Sequence, residues 1–236
     1  MLNIKITCAL AVAALFATLN VAQASLVLVI EDSNGSAIEI VIDNAAAGVT
    51  SGSWTSTVAD NNSILGQAGF SSAFGDYNTL TATALSKPAL TGNQLDLSGE
   101  ASTLNSVGAA EVWIYTIDTG FSGGGDEFLT ELGGTTEGFF DGGSFLSANS
   151  DDPMGFTPVS GSPIFSGGPF SWSETATQAH SDPFGMGVQG VVSFTGPGVT
   201  SWDLSFKQLS GAVPEPTTAL IWTTLAGFGF VVRRRR

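Results

Sequence analysis

Cysteine, histidine and basic residues are scarce in this sequence of 236 residues. The one cysteine is Cys8, the one histidine is His180, and seven Lys and Arg residues stand against 21 Asp and Glu residues. A chain with a single cysteine forms no internal disulfide bond and has no cysteine-rich metal site. The shortage of basic residues also excludes the positively charged surface that nucleic-acid binding requires.

Acidic residues dominate the part of the chain between Ser25 and Val213. This body holds 20 of the 21 acidic residues but only two basic ones, Lys87 and Lys207, so its net charge is near −18. Such a surface repels nucleic acids and anionic lipid headgroups. Aromatic and β-branched residues are nevertheless plentiful, so the body is predicted to fold rather than to remain disordered. We therefore expect an acidic extracellular protein that stays soluble among polysaccharides.

Residues 1–24 are typical of a secretory signal peptide. Lys5 supplies a positive charge, and an apolar run follows over residues 6–19. Ala22 and Ala24 then give the small-residue pattern that precedes cleavage, here before Ser25. The alternative, an N-terminal membrane helix, lacks a charged stop-transfer flank. We expect the secretion machinery to export the chain and to remove this signal helix together with Cys8.

The last 24 residues, 213–236, combine three features in a fixed order. A proline-containing motif comes first, a mostly apolar segment occupies residues 217–232, and four arginines end the chain. The motif is Val213, Pro214, Glu215 and Pro216, and the arginines are Arg233, Arg234, Arg235 and Arg236. The apolar segment would span roughly 24 Å as a helix, nearly the thickness of a bilayer core. We predict a transmembrane helix over residues 217–232, with the arginines holding the C-terminus in the cytoplasm.

This order of elements resembles the PEP-CTERM sorting signal of bacterial proteins that exosortases process. The resemblance is limited to the tail, where Pro214, Glu215 and Pro216 precede the apolar span and the arginines. It implies an inner-membrane-anchored precursor, recognition by an exosortase-like membrane protease, and release or attachment of the body in the cell envelope or outside the cell. It also implies that the protease supplies the catalytic residues, and that the protein accompanies exopolysaccharide and biofilm. An ordinary C-terminal membrane anchor is the alternative.

Alternating apolar and polar residues predict an all-β body with no long helix before residue 217. Two strands are predicted within residues 25–43, and Asn34 and Gly35 between them are typical of a tight hairpin turn. Both faces of the segment 110–117 are apolar, which predicts a central strand covered on both sides. The other predicted strands cover residues 52–58, 63–69, 78–85, 94–97, 171–177, 187–194 and 201–208.

Roughly ten short strands separated by turns favour a β-sandwich or jelly roll over residues 25–212. A β-solenoid is the alternative, but no fixed repeat period runs through the body. Residues 118–170 differ in composition, because 13 of these 53 residues are glycine and four are proline. We predict that they form a long loop insertion across one end of the sandwich.

Gly124, Gly125, Asp126, Glu127 and Phe128 spell GGDEF, which resembles the signature of diguanylate cyclases. That activity requires basic side chains around the phosphates of GTP, but the 119 residues between the body's two lysines contain no lysine or arginine. Segments in which two glycines lie between phenylalanines recur at residues 140–145 and 165–170. We therefore interpret GGDEF as a glycine turn whose flanking phenylalanine rings pack on the body.

Acidic side chains in the glycine-rich region are the candidates for a metal site. Hard cations such as Ca²⁺ prefer carboxylate oxygens on adaptable loops. The weak calcium candidates are Asp126, Glu127, Asp141, Asp151 and Asp152. No EF-hand loop or calcium-binding repeat accompanies them, so solvated loop acids are the alternative, and no cofactor is required.

Catalytic groups are hard to find in this sequence. A Ser-His-Asp hydrolase would need His180 as its proton shuttle, but no nucleophile motif accompanies this residue. We predict a solvent-facing loop histidine and no catalytic residue. Glycoside hydrolysis would require a pair of carboxylates, and no pair stands out among the 20 acids of the body.

The tryptophans of the body could stack on sugar rings. Strand-like surroundings predict core packing for most of Trp54, Trp113, Trp172 and Trp202, and Trp172, beside the glycine-rich region, is the best candidate for an exposed platform. The sequence thus predicts a non-enzymatic, exported cell-surface or matrix protein, structural or adhesive in exopolysaccharide. A carbohydrate-binding module is the alternative, and a glycan-active enzyme is the third hypothesis.

Overall fold

The computed structural model describes residues 26–33, 37–60, 62–148 and 156–209. These residues form β-strands and no helix. The strands are β1 (Val27–Asp32), β2 (Ile38–Ile42), β3 (Thr50–Ser51), β4 (Trp54–Thr55), β5 (Gln67–Phe74), β6 (Tyr77–Leu85), β7 (Gln94–Thr103), β8 (Ala109–Phe121), β9 (Glu127–Ser147), β10 (Thr157–Gly161), β11 (Phe165–Thr177), β12 (Phe184–Phe194) and β13 (Gly198–Gln208). The predicted all-β class is confirmed, whereas the predicted signal helix and transmembrane helix lie outside the described residues.

Eleven of these strands form one antiparallel sheet that folds into two layers. The strand order is β2-β1-β8-β12-β9-β13-β7-β6-β5, and β10 and β11 also pair with β9. The front layer contains β2, β1, β8, β12, the second half of β9, and β10. The back layer contains β5, β6, β7, β13, the first half of β9, and most of β11. The ends of the order, β2 and β5, approach each other, so the predicted β-sandwich is nearly closed.

Strand β9 belongs to both layers. Its residues 128–136 pair with β13, and its residues 139–147 pair with β12. Near the bend, a Cβ atom on Gly138 would lie 2.2 Å from the carbonyl oxygen of Ser193, so only glycine fits there. The predicted loop insertion over residues 118–170 is therefore wrong for the described residues. Three of its glycines, Gly134, Gly138 and Gly143, instead allow β9 to approach its neighbours β13, β12 and β10 closely.

The main hydrophobic core lies between the two layers. Leu28 and Ile30 of β1 point into it, as the alternation of the sequence predicts, and both are fully buried. Trp202 of β13 reaches the core across Gly99 of β7, where an added Cβ atom would lie 2.5 Å from the indole ring. Large and small residues thus complement each other across neighbouring strands, which allows close packing.

A smaller hydrophobic cluster covers part of the outer face of the front layer. Its buried members are Val27, Val29, Ile40, Ile42, Trp54, Ile117 and Phe145. Phe156 extends the cluster by stacking on Phe145, with ring centroids 4.2 Å apart. Strand β8 is central, as predicted, but its outer face is covered only in part, because Trp113 is 40% exposed.

Three hydroxyl groups connect the two layers inside the sandwich. Thr130 lies on the back half of β9, Ser144 on its front half, and Ser160 on β10. The hydroxyl oxygen of Ser144 is 2.7 Å from that of Thr130 and 2.8 Å from that of Ser160, and the Ser160 and Thr130 oxygens are 2.6 Å apart. Each hydroxyl can donate one hydrogen bond and accept one, so the ring satisfies all three groups.

A buried ion pair lies near the end of β8. The fully buried Asp118 carboxylate accepts a hydrogen bond from Ser86 Oγ at 2.5 Å and contacts Lys87 Nζ at 3.2 Å. Lys87 Nζ also donates to the carbonyl oxygen of Thr119 and lies 3.5 Å from the centroid of the Phe121 ring. Burial raises the pKa of Asp118 and lowers the pKa of Lys87, while their mutual attraction opposes both shifts.

Candidate functional site

A row of side chains crosses the front layer on its outer face. Trp113 of β8 is paired with Glu31 of β1 on one side and with Val191 of β12 on the other. Val191 is paired in turn with Asp141 of β9. Because Val112 and Ile114 point into the core, the alternation along β8 directs Trp113 away from it.

A second row runs beside the first. Tyr115 of β8 is paired with Val29 of β1 and with Gln189 of β12, and Gln189 is paired with Gly143 of β9. These rows form the floor of an open groove with a volume of about 580 Å³. Its walls include Phe145, Phe156, Pro158 and Ser160. We call this feature the groove.

Trp113 presents the most exposed aromatic surface in the groove. Its indole Nε1 donates a hydrogen bond of 2.5 Å to Glu111 Oε1, two residues earlier on the same outer face. The donor of the indole is therefore satisfied, and its bond to Glu111 holds the orientation of the ring. What remains open to a ligand is the apolar face of the ring.

Tyr115 lies deeper in the groove than Trp113. Burial, and to a lesser extent the negative charge of Glu31, raise the pKa of Tyr115 to about 12. The phenol therefore remains protonated across the physiological pH range and can act as a hydrogen-bond donor. Its ring centroid is 6.2 Å from that of Trp54, which joins this part of the groove to the hydrophobic cluster.

Asp141 provides a carboxylate at the other side of the groove. Burial raises the pKa of Asp141, and the negative charge of Glu111 raises it further. Gly142 and Gly143 follow it, so no side chain stands between Asp141 and the wall at Ser160. The groove thus combines aromatic faces with carboxylate, amide and hydroxyl groups that can bond to polar ligand edges.

The tryptophans differ in burial, and the sequence predicts only part of this difference. Trp54 and Trp202 are buried, as expected for core residues. Trp172, which the sequence favours as an exposed platform, is half-buried against the main core on β11. It lies outside the groove, in a second open depression of the back layer that Glu131 and Asp203 also line. Trp113 is the exposed one instead. Its signal in the sequence is the outer-face series Glu111, Trp113 and Tyr115, which mixes an acid with aromatic rings.

His180 is not solvent-facing, although it does lie in a loop, between β11 and β12. Its side chain is 9% exposed and packs on Phe184 with ring centroids 4.2 Å apart. Nδ1 lies 3.3 Å from Asp126 Oδ1, and Nε2 lies 3.7 Å from Asp182 Oδ1 and 3.4 Å from Gln208 Nε2. The nearest polar groups are thus carboxylates and an amide rather than a nucleophilic hydroxyl. Apolar contacts with neighbouring phenylalanines explain its burial.

The GGDEF segment is a turn, as predicted. Residues 122–126 connect β8 to β9, and Gly123 and Gly124 have φ angles of 70° and 90°, which favour glycine. Phe121 and Phe128 on either side are buried. The two similar segments are not independent turns, because residues 140–145 lie within β9 and residues 165–170 lie within β11.

The calcium candidates are dispersed where the structure describes them. Asp126 lies beside His180, Glu127 begins β9, and Asp141 lies in the groove. Asp151 and Asp152 fall outside the described residues. In the described ranges, no group of three or more His, Cys, Asp or Glu side chains is placed to hold a metal ion. Calcium binding therefore stays a prediction.

The predicted processing sites fall outside the part of the chain that the structure describes. They are Ala22, Ala24 and Ser25 at one end, and Val213 to Pro216 with the four arginines at the other. Within residues 26–209, apart from the three gaps given above, no helix is long and apolar enough to cross a membrane. Signal cleavage and sorting thus remain predictions from the sequence.

Comparison with known proteins gives distant structural likenesses only. No protein-family model matches the chain, and no curated protein matches it. Tailspike protein 4 of bacteriophage CBA120 matches with 12% identity and a TM-score of 0.39, over 61% of this chain but only 19% of the tailspike. The K1 cleaved adhesin domain of Lys-gingipain from Porphyromonas gingivalis matches with 10% identity and a TM-score of 0.36, over 64% and 95% of the two chains.

A third similar structure is the N-terminal cellulose-binding domain of the Cellulomonas fimi β-1,4-glucanase C. It has 12% identity and a TM-score of 0.34, and the match covers 62% of this chain and 90% of that domain. Likenesses with such low TM-scores do not carry over a function. The function of this protein is therefore argued from the groove.

Proposed function

We propose that this protein is a non-catalytic, carbohydrate-binding β-sandwich whose ligand lies in the groove. The observation that carries the proposal is the exposed ring of Trp113 in a concave surface that also presents Glu31, Asp141 and Gln189. A pyranose ring offers an apolar C–H face and hydroxyl groups around its edge. An aromatic face beside carboxylate and amide groups matches both parts of such a ligand.

The shape of the groove supports a chain-like ligand. The groove is open on the outer side of the front layer, which leaves room for a polymer to enter and leave, whereas a closed pocket would prevent it. Gly143 keeps the floor low, because a Cβ atom there would lie 2.8 Å from the carbonyl oxygen of Ser160. A sugar residue that stacks on Trp113 would lie beside Val191, with Gln189 and Asp141 within reach of its polar edge.

The decisive experiment measures binding of the purified full chain to the exopolysaccharide of its host, by affinity electrophoresis and calorimetry. We expect Trp113→Ala to weaken binding at least about tenfold, which corresponds to about 1.4 kcal/mol. Trp172→Ala is the matched control, because it removes the same side chain outside the groove, and we expect it to retain binding. Binding to no glycan, or equal binding by wild type and Trp113→Ala, would refute the proposal.

A glycan-active enzyme is the second candidate, and one observation favours it. The pKa of Asp141 is raised beside Glu111, as is common for a carboxylic acid that donates a proton in glycoside hydrolysis. Release of reducing sugars from the host polysaccharide, lost in Asp141→Asn, would establish hydrolysis. Binding without release of reducing ends would exclude hydrolysis and support the binding function.

We also propose that the chain is exported and sorted through its tail. The sequence of the tail supports this proposal, with Pro214, Glu215 and Pro216 before an apolar segment and four terminal arginines. An exosortase-like protease would then cut near the prolines, and the body would remain in the envelope or matrix. The intact mass of the mature protein from its host tests this. A product that keeps Arg236 in exosortase-competent cells would exclude processing.

A further inference from the structure

We infer that the groove selects glycans that carry protonated amines, such as polymers containing de-N-acetylated hexosamine, over neutral and uronic-acid glycans. This inference rests on the proposed function and narrows its ligand. Its basis is the combination in one concave surface of aromatic faces and carboxylates, with no basic side chain among the described residues that line it.

Carboxylates lie on both sides of the exposed indole ring. Glu31 and Asp141 occupy the two ends of the row that crosses the groove, with Trp113 and Val191 between them. Glu111 adds a third carboxylate beside Trp113. The charge of Glu111 acts on Asp141, whose pKa it helps to raise, so these negative charges repel one another in the free protein.

The basic side chains that the structure describes are engaged elsewhere. Lys87 pairs with Asp118, Lys207 pairs with Glu131 at 2.7 Å, and His180 lies between Asp126 and Asp182. The rest of the described surface carries no lysine or arginine that could neutralise the groove from within the chain. A cationic ligand would relieve the repulsion there, whereas a uronic acid would increase it.

The aromatic rings favour a cation for a second, independent reason. A cation is attracted to the face of an indole or phenol ring, and the attraction is strongest for tryptophan. The indole of Trp113 is already oriented by its bond to Glu111, which leaves the ring face open to the groove. An amine on a sugar that stacks against Trp113 would therefore contact the ring and lie near a carboxylate at the same time.

A sugar polymer fits this surface better than a lysine-rich peptide. The floor is low and flat at Gly142 and Gly143, beside a broad exposed ring, and this shape suits a pyranose ring. A flexible lysine side chain could place its ammonium group on the ring of Trp113, but it has no flat apolar face of its own to stack on the ring. An oligolysine peptide is therefore the appropriate competitor in the test.

The experiment measures affinities of the purified full chain for four probes by calorimetry, at about pH 6, where an amine keeps its proton. The probes are a glucosamine hexamer, an N-acetylglucosamine hexamer, an oligogalacturonate and an oligolysine peptide. We expect the glucosamine hexamer to bind at least about tenfold more tightly than its N-acetylated counterpart. This preference should shrink in high salt, because screening weakens the attraction between exposed charges.

Matched variants separate charge from stacking. Asp141→Asn should reduce the preference for the amine-bearing hexamer, whereas Asp203→Asn should not, because Asp203 is exposed on the outer face of the back layer. Trp113→Ala should weaken binding of both hexamers. Equal binding of the two hexamers would overturn the inference and leave the proposed function standing. Binding of oligolysine that equals or exceeds that of the glucosamine hexamer would also overturn the inference. Binding of no glycan would refute both the inference and the proposed function.

Discussion

Gly187 shows, at the scale of a single residue, how a missing side chain shapes the groove. A Cβ atom on this glycine would collide with the ring of Phe145, which crosses β12 at this point. Phe145 in turn stacks on Phe156 and forms a wall of the groove. The wall can lie where it does only because residue 187 has no Cβ atom.

Gly187→Ala is expected to lower the free energy of unfolding by about 1–3 kcal/mol, because the Phe145 ring must move. It should also weaken glycan binding, since the displaced ring forms part of the wall. Gly161→Ala is the matched control, because no atom lies within 4 Å of an added Cβ there. Chemical denaturation and calorimetry check both effects. Equal stabilities of the two variants would contradict the packing argument.

Asp141 makes a second prediction at the residue scale. Because burial and Glu111 raise its pKa, Asp141 takes up a proton at a higher pH than an ordinary aspartate. The affinity for an amine-bearing glycan should therefore fall as Asp141 takes up its proton, at a higher pH than for an aspartate with an ordinary pKa. Asp141→Asn should lack this step in a titration of affinity against pH. A variant with the wild-type profile would assign the step to another group.

Strand β9 is the element on which the architecture depends. It pairs with β13 in the back layer and β12 in the front layer, and its residues Thr130 and Ser144 meet inside the sandwich. With Ser160 they form a ring of hydroxyl groups that links the layers. Removal of one hydroxyl takes away two of the three hydrogen bonds, and the two remaining groups keep only the bond between them.

Thr130→Val should lower the free energy of unfolding by roughly 1–3 kcal/mol, because it removes two hydrogen bonds of the buried ring. Thr135→Val is the control on the same strand. Thr135 bonds to Ser201 on the exposed face, so its loss should cost much less. Urea denaturation of both variants measures the difference. Similar losses in the two variants would show that the ring contributes little.

The sequence predicted strands where period-two alternation was clear. The hairpin of β1 and β2, the existence of the strands β12 and β13, and the central position of β8 follow from such patterns. The alternation is hidden in β9, because Gly134 and Gly138 interrupt it where the close approach of Ser201 and Ser193 leaves no room for a side chain. The local sequence does not show which distant strands approach each other closely, so its many glycines predict a loop over residues 118–170.

The sequence does not predict the groove, because the groove also depends on contacts between distant segments. Trp113 lies in a run of apolar residues, and the local pattern does not tell which face a small outer cluster leaves open. That cluster depends on Trp54 and Phe156, which are far from Trp113 in the sequence. His180 likewise lies among polar residues, and only the folded chain brings Phe128 and Phe184 to its ring.

Negative charge governs the stability of the whole molecule. Burial is the largest cause of raised pKa values at Asp43, Asp96, Asp118 and Asp141. A raised pKa means that the folded chain binds more protons than the unfolded chain, from about pH 3.8 up to the raised values. The contribution of these groups to stability is thus present at low pH and lost as the pH rises through this window.

We therefore expect the free energy of unfolding to decrease as the pH rises from about 3.8 through the raised pKa values of these aspartates, against the common pattern of acid destabilisation. Reduced repulsion within the acidic body acts in the same direction. Chemical denaturation at several pH values measures this. A stability that increases steadily as the pH rises through this window would contradict the assigned shifts.

The alternation along β8 and β12 also bears on how such a protein can diversify. Positions such as Val112, Ile114 and Val188 maintain the interior, whereas their immediate neighbours Trp113 and Gln189 line the groove. Recognition can consequently be altered one position away from the interior without disturbing it. A combinatorial library confined to the outward-facing positions of β8 and β12 should therefore yield many folded variants with altered groove surfaces.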